Sequence, residues 1–265
     1  MARDGDASLF EAKIEDLCRR AEKRYETAIG DFLTPGEVMR AKTILSRLRP
    51  EGTPVFFGGY EGSERARLVV LPSYLEWEEG DALLVRYPEE AQSAVAAVRI
   101  EGSGYRKLSH RDYMGSILAL GLERSVIGDI VAEGEYAALV FCDPKIAAFL
   151  LQELQKIAND SVRVKAVALS PDFRVERQFA PVRDTVASAR LDCIVAALAG
   201  LSREKAQMTI RAEEVEVDYQ AEKRPDRLLA AGNIVTIRRV GKFVIRSVDE
   251  QTKKGRYRLA ADKYM

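Results

Sequence analysis

Residues 187–217 read ASARLDCIVAALAGLSREKAQMTIRAEEVEV. Residues 187–199 have the composition of a buried helix, and Gly200 stops it. Ser202 then caps a second helix over residues 203–212. Ala206 and Ile210, four apart, fall on its buried face. Arg203, Gln207 and Arg211 share that spacing and form one outward stripe, with Lys205 beside it. Arg190 stands near the start of the first helix. Ser202 and the unbonded amides of the first turn add donors for an anion. Val215 and Val217 alternate as strand residues.

Reading outward, Gly232-Asn233 turns into a strand over 234–238, and 241–245 returns from it. Arg238, Lys242, Lys253 and Lys254 extend the basic surface. Upstream, residues 171–186 contain Pro171 and Pro181, lack a sustained period and read as a linker. Residues 93–170 order themselves as strand (94–100), helix (109–120), strand (127–131), strand (136–142), helix (146–157, with Asp143 as cap and Pro144 at its first position) and strand (162–169). This β-α-β-β-α-β order is the ferredoxin-like arrangement, which RNA-recognition modules also use, although the aromatic pattern that marks their sheets is missing. Residues 1–92 predict helices over 9–28 and 35–48, the latter with Thr34 as cap and Pro35 first, then strands 54–60 and 66–72 joined as a hairpin at Glu61-Gly62-Ser63. The expected fold class is therefore α+β in three small domains: an N-terminal helical and hairpin domain (1–92), a ferredoxin-like domain (93–170), and, after the linker 171–186, a C-terminal domain (187–265) with a strand extension at its end.

Composition narrows the function. Of 265 residues, 47% are apolar and 31% charged, as in ordinary globular proteins. Lys plus Arg and Asp plus Glu each number 41, so the formal net charge is zero. That balance hides an asymmetry: residues 185–265 hold 16 basic and 11 acidic side chains, the rest of the chain 25 and 30. A basic end on a neutral chain points to a polyanion-binding module. No apolar run approaches the ~18 residues of a membrane span, and no secretory signal opens the chain, so a cytoplasmic protein without a membrane partner is expected. Cys18, Cys142 and Cys193 are widely spaced and read as free thiols. The one histidine, His110, excludes metal sites that need two, and neither a metal nor another cofactor is expected.

A second distinctive stretch, Gly102-Ser103-Gly104-Tyr105-Arg106-Lys107-Leu108-Ser109-His110-Arg111-Asp112-Tyr113, starts a helix. Ser109 and Asp112 form a capping box, and Leu108 and Tyr113 stand at the staple positions. Arg106, Lys107, His110 and Arg111 make its loop basic, which suits a phosphate and marks a second RNA contact. His110-Arg111-Asp112 is not a kinase catalytic loop, since Ile117 holds the position of the metal-binding Asn.

The spacing Arg190-Leu191-Asp192, ten residues, Arg203, Ala206, Ile210 and Val215-Glu216-Val217 resembles the S4 RNA-binding domain over residues 187–246. The resemblance implies that Arg203, Lys205, Gln207 and Arg211 lie on an RNA-facing helix. That domain usually has Gly where Glu213 stands and Asn-Gly where Asp218-Tyr219 stands, so its turns are expected to differ here. Phe57-Gly58-Gly59-Tyr60-Glu61-Gly62-Ser63-Glu64-Arg65, Ser109-His110-Arg111-Asp112 with Gly128-Asp129-Ile130, and Thr252-Lys253-Lys254-Gly255-Arg256 together resemble YlmH-type proteins, bacterial S4-domain proteins often encoded near cell-division genes. In that family the Asp218-Tyr219 position tends to be Asn-Trp. The resemblance implies a non-catalytic protein whose partners are rRNA and tRNA on the large ribosomal subunit carrying peptidyl-tRNA, in ribosome-associated quality control, with no small-molecule substrate. Two alternatives are an RNA-modifying enzyme, since S4 domains are often appended to such enzymes, and a protein-interaction adaptor in cell division or plastid assembly.

Overall fold

The structure is a computed structural model that describes residues 2–78, 80–176, 179–251 and 255–264. The chain divides into two compact units, Met1–Val175 and Glu176–Met265.

The first unit begins with α1 (Ala2–Arg24), β1 (Ala28–Leu33), α2 (Pro35–Leu48), β2 (Thr53–Phe57) and β3 (Ala66–Leu71). The strands form an antiparallel sheet in the order β1-β3-β2, and every residue of the central β3 is buried. The start of α2 follows the expected chemistry: Thr34 and Glu37 close a capping box, Pro35 opens the helix, and Arg49 ends it in the left-handed region at φ 48°. Ile14, Leu17 and Ala21 of α1 pack with Ala41, Ile44 and Leu45 of α2 and with Leu68 and Val70 of β3. Strand β1 has no counterpart in the sequence reading, because Gly30 and Asp31 interrupt its apolar pattern. Gly30 is there for packing: a Cβ would stand 2.8 Å from Leu17 Cδ1, so glycine lets α1 lie against the strand.

Short helices α3 (Leu83–Arg86) and α4 (Pro88–Ala94) lead into β4 (Ala96–Glu101), α5 (His110–Leu118), β5 (Ile127–Glu133), β6 (Ala137–Cys142), α6 (Pro144–Glu153), the two-residue strands β7 (Lys156–Ile157) and β8 (Asp160–Ser161), and β9 (Arg163–Val167). The larger sheet runs β5-β6-β4-β9, antiparallel throughout. Tyr113 and Ile117 of α5 and Ala147 and Leu150 of α6 cover one face, over Val98, Ile100 and Val140. α6 stops four residues earlier than the pattern predicts. Ile157 is instead drawn into that core from a hairpin, Lys156↔Ser161 and Ile157↔Asp160, which turns at Ala158 with φ 50°.

The other face does not meet solvent over its central part. Ala97, Leu139 and Phe141 share a core with Phe32, Phe57, Val69 and Leu71 of the small sheet. The stretch Phe57–Arg67 makes this joint. Gly59 adopts φ +101°, and a Cβ there would stand 2.3 Å from Phe141 Cδ1. Tyr60 stacks at a tilt on Phe141 with ring centroids 4.8 Å apart. Asp129 accepts from the Tyr60 hydroxyl (2.7 Å) and from the amides of Glu64 (2.7 Å) and Arg65 (3.0 Å). Two buried arginines complete the joint. Arg65 donates to the carbonyls of Ile127 (2.9 Å), Phe32 (3.0 Å) and Arg124 (3.0 Å). Arg67 donates to the carbonyls of Gly30 (2.5 Å) and Ala94 (2.8 Å) and to the Asp143 carboxylate (2.7 Å). Fixed guanidinium forks hold several acceptors at once, which is why arginine serves here rather than lysine.

The second unit comprises β10 (Phe179–Val186), α7 (Leu191–Ala199), α8 (Arg203–Arg211), β11 (Val215–Val217), β12 (Gln220–Ala221), β13 (Ile234–Ile237), β14 (Gly241–Gln251) and β15 (Tyr257–Tyr264). Its sheet is ordered β10-β15-β14-β13-β11-β12, antiparallel, with α7 and α8 packed on one side through Leu191, Ile194, Val195, Ala206 and Ile210. Residues 179–186, expected within a linker, are a strand paired with β15 from Phe179↔Tyr264 to Val186↔Tyr257. Pro181 is tolerated because β10 is an edge strand. The three cysteines are buried and unpaired, and burial raises the Cys142 thiol to about 12, so it stays protonated. No described helix is long and apolar enough to cross a membrane.

Trp77, the single tryptophan, packs against the core shared by the two sheets and reports on it. Gly59→Ala is expected to lower stability by about 3 kcal/mol through its left-handed backbone and the Phe141 clash. Arg67→Met is expected to cost roughly 3–5 kcal/mol, because the Asp143 carboxylate loses its partner. Urea unfolding followed by Trp77 fluorescence checks both, and wild-type midpoints would refute this account of the joint.

Candidate nucleic-acid interface

The basic helix α8 is organised by a carboxylate beneath it. Asp192, in the first turn of α7, has no solvent exposure. It accepts from Arg190 Nε (3.2 Å) and Nη2 (3.2 Å), from Arg203 Nε (3.0 Å) and from Gln207 Nε2 (2.8 Å). Burial alone would raise its pKa, but the hydrogen bonds from Arg190, Gln207 and Arg203 outweigh that and hold it well below the ordinary carboxylate range. One negative charge therefore fixes two guanidinium groups and an amide in a set geometry.

This corrects the simple outward stripe. Arg203 and Gln207 lean onto Asp192 rather than straight into solvent, although the Arg203 side chain remains 55% exposed. Arg190 holds the cap position of α7 and turns its side chain to the same carboxylate. Lys205 and Arg211 are exposed, and among the described residues neither has an ion-pair partner. Ser202 caps α8 by accepting from the Lys205 amide at 3.3 Å, so its hydroxyl serves the helix.

α7 begins at Leu191, four residues later than its composition predicts, because a loop fixes its first turn. The Leu191 amide donates to Arg227 O (2.8 Å) and the Asp192 amide to Pro225 O (2.9 Å). That loop is itself held by Glu222, which accepts from the amides of Lys223 (3.0 Å) and Arg224 (2.9 Å) and from Arg227 Nη1 (2.9 Å). Burial pushes the Glu222 carboxyl up, but the Arg224 amide and the Arg227 and Arg224 side chains prevail and lower it to about 2. Lys223 and Arg224 of this loop are exposed and pair with Glu213 (2.9 Å) and Glu222 (3.4 Å). Asp192, Glu222, Arg224 and Arg227 were not singled out in the sequence as interface residues; the signal was the acid inside Arg190-Leu191-Asp192 and the mixed charges of residues 222–227.

The remaining predicted residues are spread along the sheet. Arg238 is exposed and 3.8 Å from Glu214. Lys242 lies between two rings, 4.9 Å from the Tyr219 centroid and 4.6 Å from that of Tyr264. Lys253 and Lys254 lie outside the described residues. The turns take left-handed backbone in spite of their side chains: Glu213 has φ 59°, Asp218 φ 52° and Tyr219 φ 64°. Asp218 supports its turn by accepting from the Ile234 amide (2.9 Å) and Asn233 Nδ2 (2.8 Å). The residues that stand where S4 domains usually have glycine thus adopt the conformation glycine would favour.

Arg106, Lys107, His110 and Arg111 belong to the first unit. The capping box at Ser109 and Asp112 is present, with Leu108 and Tyr113 buried beside it. Arg106 stands 3.5 Å from Asp112, and Lys107 pairs with Glu135. Burial and the nearby Arg124 lower the His110 pKa and so disfavour its charged form. Arg111 is exposed and has no ion-pair partner among the described residues. Among the described residues, no cluster of His, Cys, Asp and Glu could hold a metal ion.

Comparison with known proteins gives two family matches. Residues 10–75 match the model described as "YlmH, N-terminal", and residues 88–171 match that described as "Putative RNA-binding domain in YlmH". The chain is 28% identical over 252 residues to the "Ribosome-associated protein quality control protein P2" of Bacillus subtilis (strain 168), covering 92% of this chain and 90% of the relative. Among solved structures it is similar to the "Cell division protein ylmH from Streptococcus pneumoniae", with a TM-score of 0.49 and 18% identity over 61% of this chain and 91% of that one.

Asp192→Ala is expected to destabilise the α7–α8 pair by roughly 1–3 kcal/mol, because Arg190, Arg203 and Gln207 lose their shared charged acceptor. Hydrogen exchange of the amides of α7 and α8 checks this. The Asp192 and Glu222 pKa values are both depressed by folding. Their stabilisation is therefore complete above the unfolded value of ~4 and is lost on acidification, with Glu222 titrating near pH 2. Exchange protection in the second unit that stays flat from pH 6 to 2 would contradict this.

Proposed function

The chain is a YlmH-type protein, and from that premise we propose that it is a non-catalytic RNA-binding protein that docks on the large ribosomal subunit, touching folded rRNA and tRNA, in ribosome-associated quality control. The proposal assigns residues 93–170 to a ferredoxin-like module and 187–265 to an S4-type module. In the first, β4, β5, β6 and β9 serve as strands one to four in the spatial order 2-3-1-4. In the second, α7 and α8 pack on one side of the sheet. The relative's name supports the ribosomal setting, and the family match to residues 88–171 supports RNA as the ligand.

One observation carries the reading: a buried carboxylate orients Arg190 and Arg203, while Lys205 and Arg211, on α8 with Arg203, are exposed and have no ion-pair partner among the described residues. Such a ridge meets phosphates without first having to order long side chains, which is how preorganised cations gain affinity. Contacts of this kind read the shape of a folded backbone rather than its sequence. Arg238, Lys242, Lys253 and Lys254 extend the same proposed surface, as do Lys223 and Arg224.

The test leaves Asp192 and its partners intact. The double variant Lys205→Glu, Arg211→Glu should fold normally and lose most co-sedimentation with large ribosomal subunits. Its log–log salt slope should be shallower by about 1.4–1.8, the loss of two phosphate contacts. Arg203→Gln, which keeps a donor toward Asp192, should weaken binding less. Undiminished co-sedimentation of the folded double variant would sink the assignment of α8 as the RNA-facing helix.

A further inference from the structure

The family match places an RNA-binding region at residues 88–171, yet the sheet in that region cannot bind bases on its faces. One face lies under α5 and α6. The other is filled at its centre by Ala97, Leu139 and Phe141 in the core shared with the small sheet. Beyond that core it carries Arg99, which pairs with Glu133 at 2.9 Å, and Lys165, which pairs with Glu101 at 2.9 Å. Phe141 is the only aromatic residue on its four strands, and it is buried. Base stacking on this sheet is therefore closed off.

What the region exposes is the loop between β4 and α5. Tyr105 at its tip is 96% exposed, the most exposed of the large hydrophobic residues described. The loop beneath it is braced. The Gly102 amide donates to Tyr136 O (2.7 Å) and the Leu108 amide to Glu135 O (2.9 Å). The Ser103 amide donates to Asp160 Oδ2 at 2.9 Å, and the Ser103 hydroxyl to the other oxygen of that buried carboxylate. The Tyr105 amide returns to Ser103 Oγ at 3.3 Å. Gly104 makes the turn at φ +87° with open space around it. Arg106 and Lys107 follow Tyr105 directly, and Arg111 stands exposed on the first turn of α5. A braced loop that holds an aromatic ring in water beside three cations combines the two elements of single-strand recognition, a stacking surface and phosphate contacts.

We propose that Tyr105 is a stacking platform for an unpaired base of a folded RNA, with Arg106, Lys107 and Arg111 on the neighbouring phosphates. The inference rests on the RNA-binding reading above and adds a ligand class: unpaired loop nucleotides rather than duplex. Lys107 and Arg106 would exchange their carboxylate partners, exposed Glu135 and half-buried Asp112, for phosphate, a small cost because surface ion pairs are weak and Asp112 keeps its capping bonds to Ser109.

The test uses the full chain and two labelled RNAs, a stem with an unpaired loop and the same stem as a blunt duplex. Tyr105→Ala should weaken binding of the stem-loop roughly tenfold and leave the duplex unchanged, while Tyr105→Phe, which keeps the ring, should bind both like the wild type. The Lys205→Glu, Arg211→Glu variant should weaken both RNAs. If Tyr105→Ala binds the stem-loop normally, or weakens both RNAs equally, the stacking platform is overturned while the ridge stands. An undiminished ridge variant overturns the ridge alone, and a wild type that binds neither RNA overturns both.

Discussion

The helix pair of the second unit is built around a fully buried charge. Asp192 sits in the first turn of α7, where an anion is favoured by the helix dipole, and it is shielded from water by the groups it attracts. Removing a carboxylate from water is unfavourable unless its lone pairs are filled, and Arg190, Arg203 and Gln207 fill them. The same contacts set the angle between α7 and α8 and aim the basic side chains. A structural necessity and the proposed binding surface thus share residues, and this is why charge reversal at Arg203 would confuse folding with recognition, whereas Lys205 and Arg211 test the proposed recognition without disturbing Asp192.

A comparable economy governs the first unit. Two sheets meet through a core of Phe32, Phe57, Phe141 and Tyr60, and close approach is possible because Gly59 and Gly128 offer no Cβ at the contact. A Cβ on Gly128 would come within 2.6 Å of Phe32 Cε1. Buried strand ends at such a joint leave carbonyls without partners, and Arg65 and Arg67 supply donors to five of them. The cost of this arrangement is the sheet face itself, which becomes core and can no longer serve as a recognition surface. Any nucleic-acid contact of this unit is left to its loops and helices.

Much of the local structure was legible in the sequence because it depends on near neighbours. Thr34-Pro35 with Glu37, Ser109 with Asp112, Asp143-Pro144, Gly200 and Ser202 each act within one helical turn, and each cap stands where it was expected. Strand β1 was hidden because Gly30 and Asp31 break its alternation, and β10 because Pro181 resembles linker composition. The helical run toward Ile157 was overridden by a hairpin, since burying that side chain outweighs four residues of helix propensity.

The sequence by itself determined which side chains carry positive charge, how they space along α8, and where the capping residues stand, because these follow from composition and from contacts a few residues apart. Only the tertiary structure decided which of those charges are committed. Arg203 and Gln207 are drawn to a carboxylate eleven and fifteen positions away, Lys242 is set between Tyr219 and Tyr264, and Lys205 and Arg211 have no ion-pair partner among the described residues. An ion pair depends on distance in space, and folding brings together acids and bases whose separation along the chain carries no hint of it.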